Sequence, residues 1–252
     1  MGVLLTELVN YLDDYLCIKE IPDWKQAHNG LQVEGTREVN RVSVAVDSCL
    51  SVIERAAANS SDLLIVHHGL FWGSTVPLTG VYYKKISTLI HNHIALYSSH
   101  TPLDAHPEVG NNACLTSLLG LRPSGTWGKL DGVELAVYAD CNVDLVELTD
   151  RLSASLNVTP IVAFGGPQNA KRVGILTGSG ADWISKAKEA GIDTLITGEG
   201  PHHTFLEAEE QGINLLYAGH YATETLGVQA LAKHLETKFA LTTHFIDHPT
   251  GL

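Results

Sequence analysis

Two apolar periods alternate along the chain. At its start, "MGVLLTELVNYLDDYL" sets Leu4, Leu5, Leu8, Val9, Leu12 and Leu16 along one side of a helix, and that spacing predicts a helix over 3–17. Short β-branched runs such as "RVSVAV" and "DLLIV" predict buried strands. Further helices are predicted near 83–92, 111–119, 143–156, 203–211 and 224–237, with strands near 133–139, 159–164 and 239–246. Strands alternating with helices of this length indicate an α/β fold with mixed sheets covered by helices.

The pattern also repeats. "RVSVAVDSCLSVIERAAANSSDLLIVHHG" (41–69) and "RVGILTGSGADWISKAKEAGIDTLITGEG" (172–200) align without a gap at an offset of 131, with nine of twenty-nine positions identical. Each reads strand, turn, helix, strand, with Asp62 or Asp193 just before the second strand. Such βαβ units favour a right-handed parallel crossover. Further along, at an offset of 120, "LYSSHTPLD" (96–104) lies over "LYAGHYATE" (216–224), setting His100 on His220 and Asp104 on Glu224. The chain therefore reads as two related α/β lobes, 1–125 and 126–252, joined through the Gly-rich stretch "GLRPSGTWGKLDG" (120–132) with Pro123.

Composition narrows the function. The 252 residues are 44% hydrophobic, enough for a sizeable core. Cys17, Cys49, Cys114 and Cys141 are scattered without a Cys-x-x-Cys pair, which argues against a disulfide framework or thiolate zinc site and points to the cytoplasm. No stretch is long enough to span a bilayer, so no membrane partner is expected. A net charge of -12 opposes phosphate-backbone binding and argues against nucleic acid as a partner. A small-molecule substrate, even an anionic one, stays compatible, because a local metal site outweighs the global charge nearby.

The chemistry gathers at strand ends. In open α/β sheets ligands bind beyond the carboxyl ends of the strands, and His67, His68, Asp104, Glu199 and His220 all follow apolar strand-like runs. A helix starting near Tyr221 would put His220 and Glu224, four residues apart, on one side of its first turn. "HTPLD" offers the same spacing, with His100 as a ligand or as a partner just behind the ligands. Imidazoles and carboxylates without thiolate suit zinc, iron, manganese, cobalt or nickel and do not select among them. His202 and His203 in "GEGPHHTF" fit a polar helix entrance, and His91, His93, His106, His234, His244 and His248 are read as surface or hydrogen-bonded residues. "HNGLQVEG" (28–35) reads as a turn, Asn111 as a helix cap, and the glycines of "LTGSGADW" as a weak phosphate-turn signal.

In order, "HNGLQVEG", "VDS", "DLLIVHHGLFW", "SSHTPLDAHPEVGNNACL", "TGEG" and "AGHYATE" resemble the Nif-three-like dinuclear-metal family, whose bacterial members are known as GTP cyclohydrolase I type 2 homologues. The likeness covers nearly the whole chain. It implies two divalent metal ions per subunit, bound by His67, His68, Asp104, His220 and Glu224 with His100 close by, in a site between the lobes. It also implies a toroidal homohexamer, a trimer of dimers, with the metal sites facing an internal cavity. Longer members carry an inserted third domain, for which the join here is too short. The implied activity is that of a dinuclear metal-dependent hydrolase opening the imidazole ring of a guanine nucleotide, with Glu224 working beside a metal-bound water. The contrasting expectation is a non-catalytic metal-binding or metal-handling hexamer.

Overall fold

The computed structural model describes residues 2–73 and 75–252. Its contacts divide the chain into two compact units: the chain up to Leu103 with Gly227–His248, and Asp104–Leu226 with Pro249–Leu252. The division differs from a single cut at 125/126. The chain passes from one unit to the other inside a short helix and again inside a long one, and the C-terminal strand returns to pair in the first unit.

The first unit runs β1 (Val3–Leu4), α1 (Leu5–Tyr15), β2 (Gly30–Val33), β3 (Glu38–Val39), β4 (Arg41–Asp47), α2 (Leu50–Ala58), β5 (Leu63–His68), α3 (Gly80–His91) and β6 (Ala95–Ser98). Next comes α4 (Thr101–Ala105). The second unit carries α5 (Asn111–Leu118), β7 (Gly125–Leu130), β8 (Val133–Asp144), α6 (Leu145–Leu156), β9 (Ile161–Phe164), β10 (Asn169–Leu176), a 3-10 turn (Ala181–Trp183), α7 (Ile184–Glu189), β11 (Thr194–Thr197), α8 (His202–Gln211) and β12 (Asn214–Tyr217). α9 (His220–Phe239) and β13 (Thr242–Phe245) finish the chain.

The five-stranded sheet of the first unit has the order β13-β4-β5-β6-β2, with β2 antiparallel and the rest parallel. The six-stranded sheet of the second has the order β7-β8-β10-β11-β12-β9, parallel through β10-β11-β12 and antiparallel outside them. Within these, β6-β2 and β12-β9 match: β4-β5-β6 and β10-β11-β12 are each closed by an antiparallel strand that precedes them in the chain. Internal strands of this kind bury both faces. Leu195 and Ile196, neighbours on β11, pack in opposite cores, one with Ile184 and Ala208 and the other with Leu148 and Leu152.

The aspartates shared by the repeats have a mechanical role. Asp62 Oδ2 accepts from the backbone N–H groups of Asn40 (2.7 Å) and Arg41 (2.9 Å). Asp193 Oδ2 accepts in the same way from Lys171 (2.9 Å) and Arg172 (3.1 Å). Each carboxylate thus fastens the adjacent strand just ahead of its parallel-paired stretch.

Three sequence expectations differ in detail. Residues 3–4 pair as β1 with β3, so the first helix starts at Leu5. The stretch 120–132 is no linker: β7 pairs with β8 across a two-residue turn in which Asp131 and Gly132 both have positive φ (47° and 92°). That geometry matches the twist of a hairpin, and Asp-Gly is a residue pair that such a turn selects. α9 begins at His220, four residues ahead of the predicted 224.

Replacing Asp62 or Asp193 with Ala removes one acceptor from two strand-opening N–H groups, and each change is expected to lower unfolding free energy by about 1–2 kcal/mol. Urea titration of the two single variants checks this; no shift in midpoint would remove the fastening role.

Candidate metal centre

In the first unit the carboxyl ends of three parallel strands converge. Asp47, last in β4, is in register with His68, and Val66 of β5 with Ser98 of β6. His67 is fully buried and His68 half-buried. The chain then leaves the strand at Gly69, where a Cβ would meet the Gln32 amide at 2.3 Å; only glycine lets Gln32 seat there and accept from the Leu70 and Phe71 N–H groups at 2.8 and 3.3 Å.

Three imidazoles gather at this end. The ring centroids of His67 lie 4.7 Å from His68 and 5.0 Å from His100. One ring nitrogen from each lies within 4.8 Å of the other two, a group able to hold a metal ion. His100, expected close to the ions, thus stands by geometry with the two histidines of the strand end. Its neighbour Ser99 contributes the carbonyl that holds His67.

Every Nδ1 in the group faces an oxygen. His67 Nδ1 donates to the Ser99 carbonyl at 2.9 Å, His68 Nδ1 to Asp47 Oδ1 at 2.9 Å, and His100 Nδ1 to Asp23 Oδ1 at 2.8 Å. A carbonyl or ionised carboxylate only accepts, so Nδ1 carries the hydrogen and Nε2 the lone pair. Acceptors of this kind orient and strengthen metal-ligating histidines. Asp23 also accepts from Asn29 Nδ2 (2.8 Å), Thr101 N (3.1 Å) and Thr101 Oγ1 (2.7 Å). Burial pushes its carboxyl up, but these bonds and the His100 ring outweigh that and hold it at about 2.

The second unit carries a different set. His220 opens α9, with Nδ1 donating to Glu199 Oε1 at 2.8 Å and Nε2 lying 3.0 Å from Glu224 Oε2. Burial presses the His220 pKa down; Glu224 first and Glu199 second more than reverse this and raise it to about 9. In the protein without metal the ring is a cation between two carboxylates. Asp104 Oδ1 accepts from Asn111 Nδ2 (2.8 Å) and Thr177 Oγ1 (3.2 Å), while one of its oxygens lies within 4.8 Å of one of buried Glu224.

Glycines make room for this carboxylate. Gly178 has φ +67°, and a Cβ there would sit 2.2 Å from Glu224 Oε1. A Cβ at Gly198 would strike the Gly178 carbonyl at 2.6 Å and the His220 Cα at 2.7 Å. The first glycine of "LTGSGADW" and the first of "TGEG", Gly178 and Gly198, therefore serve the close approach of α9's first turn.

The comparisons with known proteins agree with this architecture. A profile of the family described as Duf34/NIF3 (NGG1p interacting factor 3) matches residues 3–250. This chain belongs to the DUF34/NIF3 family. A relative from Deinococcus radiodurans named GTP cyclohydrolase 1 type 2 homolog is 43% identical over 98% of this chain and 94% of its own length. A second of the same name from Pyrococcus abyssi is also 43% identical, over 98% of both chains. The crystal structure of TTHA1606 from Thermus thermophilus has a TM-score of 0.90 at 42% identity, covering 99% of this chain and 100% of that one.

Several residues that support this NIF3 site went unflagged by sequence reasoning. Asp23 lies in no motif, 77 positions from the histidine it holds, and Asp47, inside the "VDS" motif, had no role assigned to it. Asn111 is not the helix cap: Gly110 occupies that position, and the Asn111 amide turns instead to Asp104. His202 and His203 lie exposed in the first turn of α8, with His203 Nε2 3.6 Å from Asp182. Among the described residues, no helix is long and apolar enough to cross a membrane.

Two outcomes follow from the geometry. Gly178→Ala drives a methyl into the Glu224 carboxylate and strains a left-handed backbone, so it should cost about 1–3 kcal/mol and weaken divalent-ion uptake; denaturation and ion titration read the two effects. For Asp23 the folded pKa of about 2 lies below the ordinary 3.8. A depressed carboxylate stabilises the fold fully above the ordinary value and loses that contribution as pH falls through the folded one, here about 2 kcal/mol. Asp23→Asn should therefore flatten the acid limb of the stability curve between pH 4 and 2, measured by urea unfolding across that range.

Proposed function

We propose that this NIF3 protein is a dinuclear metal-dependent hydrolase whose ions take their donors from His67, His68 and His100 in one unit and from Asp104, His220 and Glu224 in the other. The observation that carries the reading is the shared commitment of Nδ1: all four imidazoles give that nitrogen to an oxygen acceptor and keep Nε2 for another partner. Each set offers three donors, the number that leaves a coordination position for water at a catalytic ion. A mixture of neutral imidazole and carboxylate suits zinc, iron, manganese, cobalt or nickel.

When bound, the ions supply Lewis acidity for hydrolytic attack near neutral pH. The protein's part is positioning and proton handling. Glu224, buried and 3.0 Å from His220 Nε2, is the carboxylate set to take or return a proton at Oε2. Asn111 and Thr177 fix the Asp104 carboxylate. Uptake of a cation by the His220–Glu224 pair displaces the proton they share, so loading releases acid. The name borne by the relatives suggests a guanine nucleotide as substrate. The family resemblance adds a cytoplasmic homohexamer, a trimer of dimers.

A second reading, a non-catalytic metal-handling protein, is favoured by one observation. The pocket beside Trp72 is lined by no lysine or arginine among the described residues, so a triphosphate finds no clamp there.

Metal analysis of tag-free protein, followed by turnover assays against a nucleotide panel, separates the readings. The hydrolase predicts about two equivalents of metal per chain and a turnover that Glu224→Gln abolishes while assembly persists. Metal uptake with no turnover of any nucleotide supports the metal-handling protein, and absence of uptake sinks both.

A further inference from the structure

Beside the three imidazoles the first unit opens a pocket of about 540 Å³, a size typical of small-ligand sites. Leu31, Phe71, Trp72, Val76, Leu78 and Tyr82 form its apolar part. Trp72 is the link to the candidate centre: its ring stands edge-on to His100 at 4.8 Å and to His68 at 6.2 Å. Nearly half of the Trp72 surface is exposed, an unusual state for so large an aromatic.

The two amides in the lining are already engaged. Asn29 donates to Asp23 and accepts from the His100 N–H. Gln32 donates to the His28 carbonyl at 2.6 Å and accepts from Leu70 and Phe71. Among the described lining residues none is lysine, arginine, aspartate or glutamate, and His28 is the one imidazole. The pocket surface is a mixture of polar and apolar groups; its aromatic rings meet a ligand through its faces, and without a Lys, Arg, Asp or Glu among the described lining residues it leaves a formal charge unanswered.

We propose that this pocket is the subsite for the planar, uncharged heteroaromatic ring of the substrate, and that phosphate groups contribute nothing to binding in it. A ring stacked at Trp72 lies one side chain away from His68 and His100. The inference rests on the reading that this centre is a substrate site and adds to it the class of group recognised. Binding is read without metal and without turnover, so its failure is distinct from failure of the hydrolase reading.

The test uses the full-length protein treated with chelator and titrated calorimetrically with guanosine, adenosine, cytidine, uridine, GTP and tripolyphosphate. At least one nucleoside should bind; if guanosine is among them, GTP should bind within about threefold of it, and tripolyphosphate should not bind. Loss of a stacking partner should weaken the best nucleoside about tenfold or more in Trp72→Ala, with Trp72→Phe recovering most of it. Val76→Asp, at a position 45% exposed and tolerant of a charge, should weaken it as well and serves if Trp72→Ala does not fold. The proposal is overturned if no nucleoside binds, if tripolyphosphate competes with GTP, or if affinity is unchanged in whichever of these two variants folds.

Discussion

An imidazole tied through one nitrogen to an oxygen acceptor has only its other nitrogen to offer. That constraint organises the site. Ser99, Asp47, Asp23 and Glu199 each fix one ring, at 2.8 to 2.9 Å, and parallel pairing supplies the acceptors at the right height. Asp47 reaches His68 because β4 and β5 end in register, and the Ser99 carbonyl reaches His67 because β6 runs on past Ser98. A slip of one residue in either pairing would turn these side chains to the other face. The carboxylates of Asp62 and Asp193, which fasten strand starts, therefore bear on the chemistry at the opposite strand ends.

The two lobes share a frame and divide the work differently. Where the first has His67-His68-Gly69, the second has Gly198-Glu199-Gly200. The first sequence yields two imidazoles at a strand end. The second removes one side chain so that α9 can approach, and turns the next into the acceptor for His220. His100 and His220, aligned in the repeat, are each oriented by a carboxylate, but by one from an unrelated position, Asp23 in one case and Glu199 in the other. Duplication accounts for the common placement, and substitution at the strand ends accounts for the difference in donors.

Glu224 shows the electrostatic side of the same design. A carboxylate this buried is costly unless a positive partner answers it. Without metal, protonated His220 is that partner, itself held from behind by Glu199. A divalent cation would satisfy the same requirement with a larger charge, in place of that proton.

Much of this was legible in the sequence. Period and composition announced an α/β protein, and the repeat at offset 131 marked the two frames, because strand and helix patterns are local and survive duplication. The candidate ligand histidines stood out for the same reason: His67, His68 and His220 follow apolar runs, where strand ends converge, and His100 was marked by its alignment with His220. Tertiary structure alone decided the partners. Asp23 lies in an irregular stretch with no pattern to mark it and meets His100 only because the chain folds over the end of β6. Asn111 turned from cap to carboxylate partner because Gly110 took the capping position. The return of 227–248 to the first unit goes with the pairing of β13 with β4. Local sequence encodes periodicity and end signals; a hydrogen bond between residues far apart depends on how the intervening chain packs, and no local pattern records that.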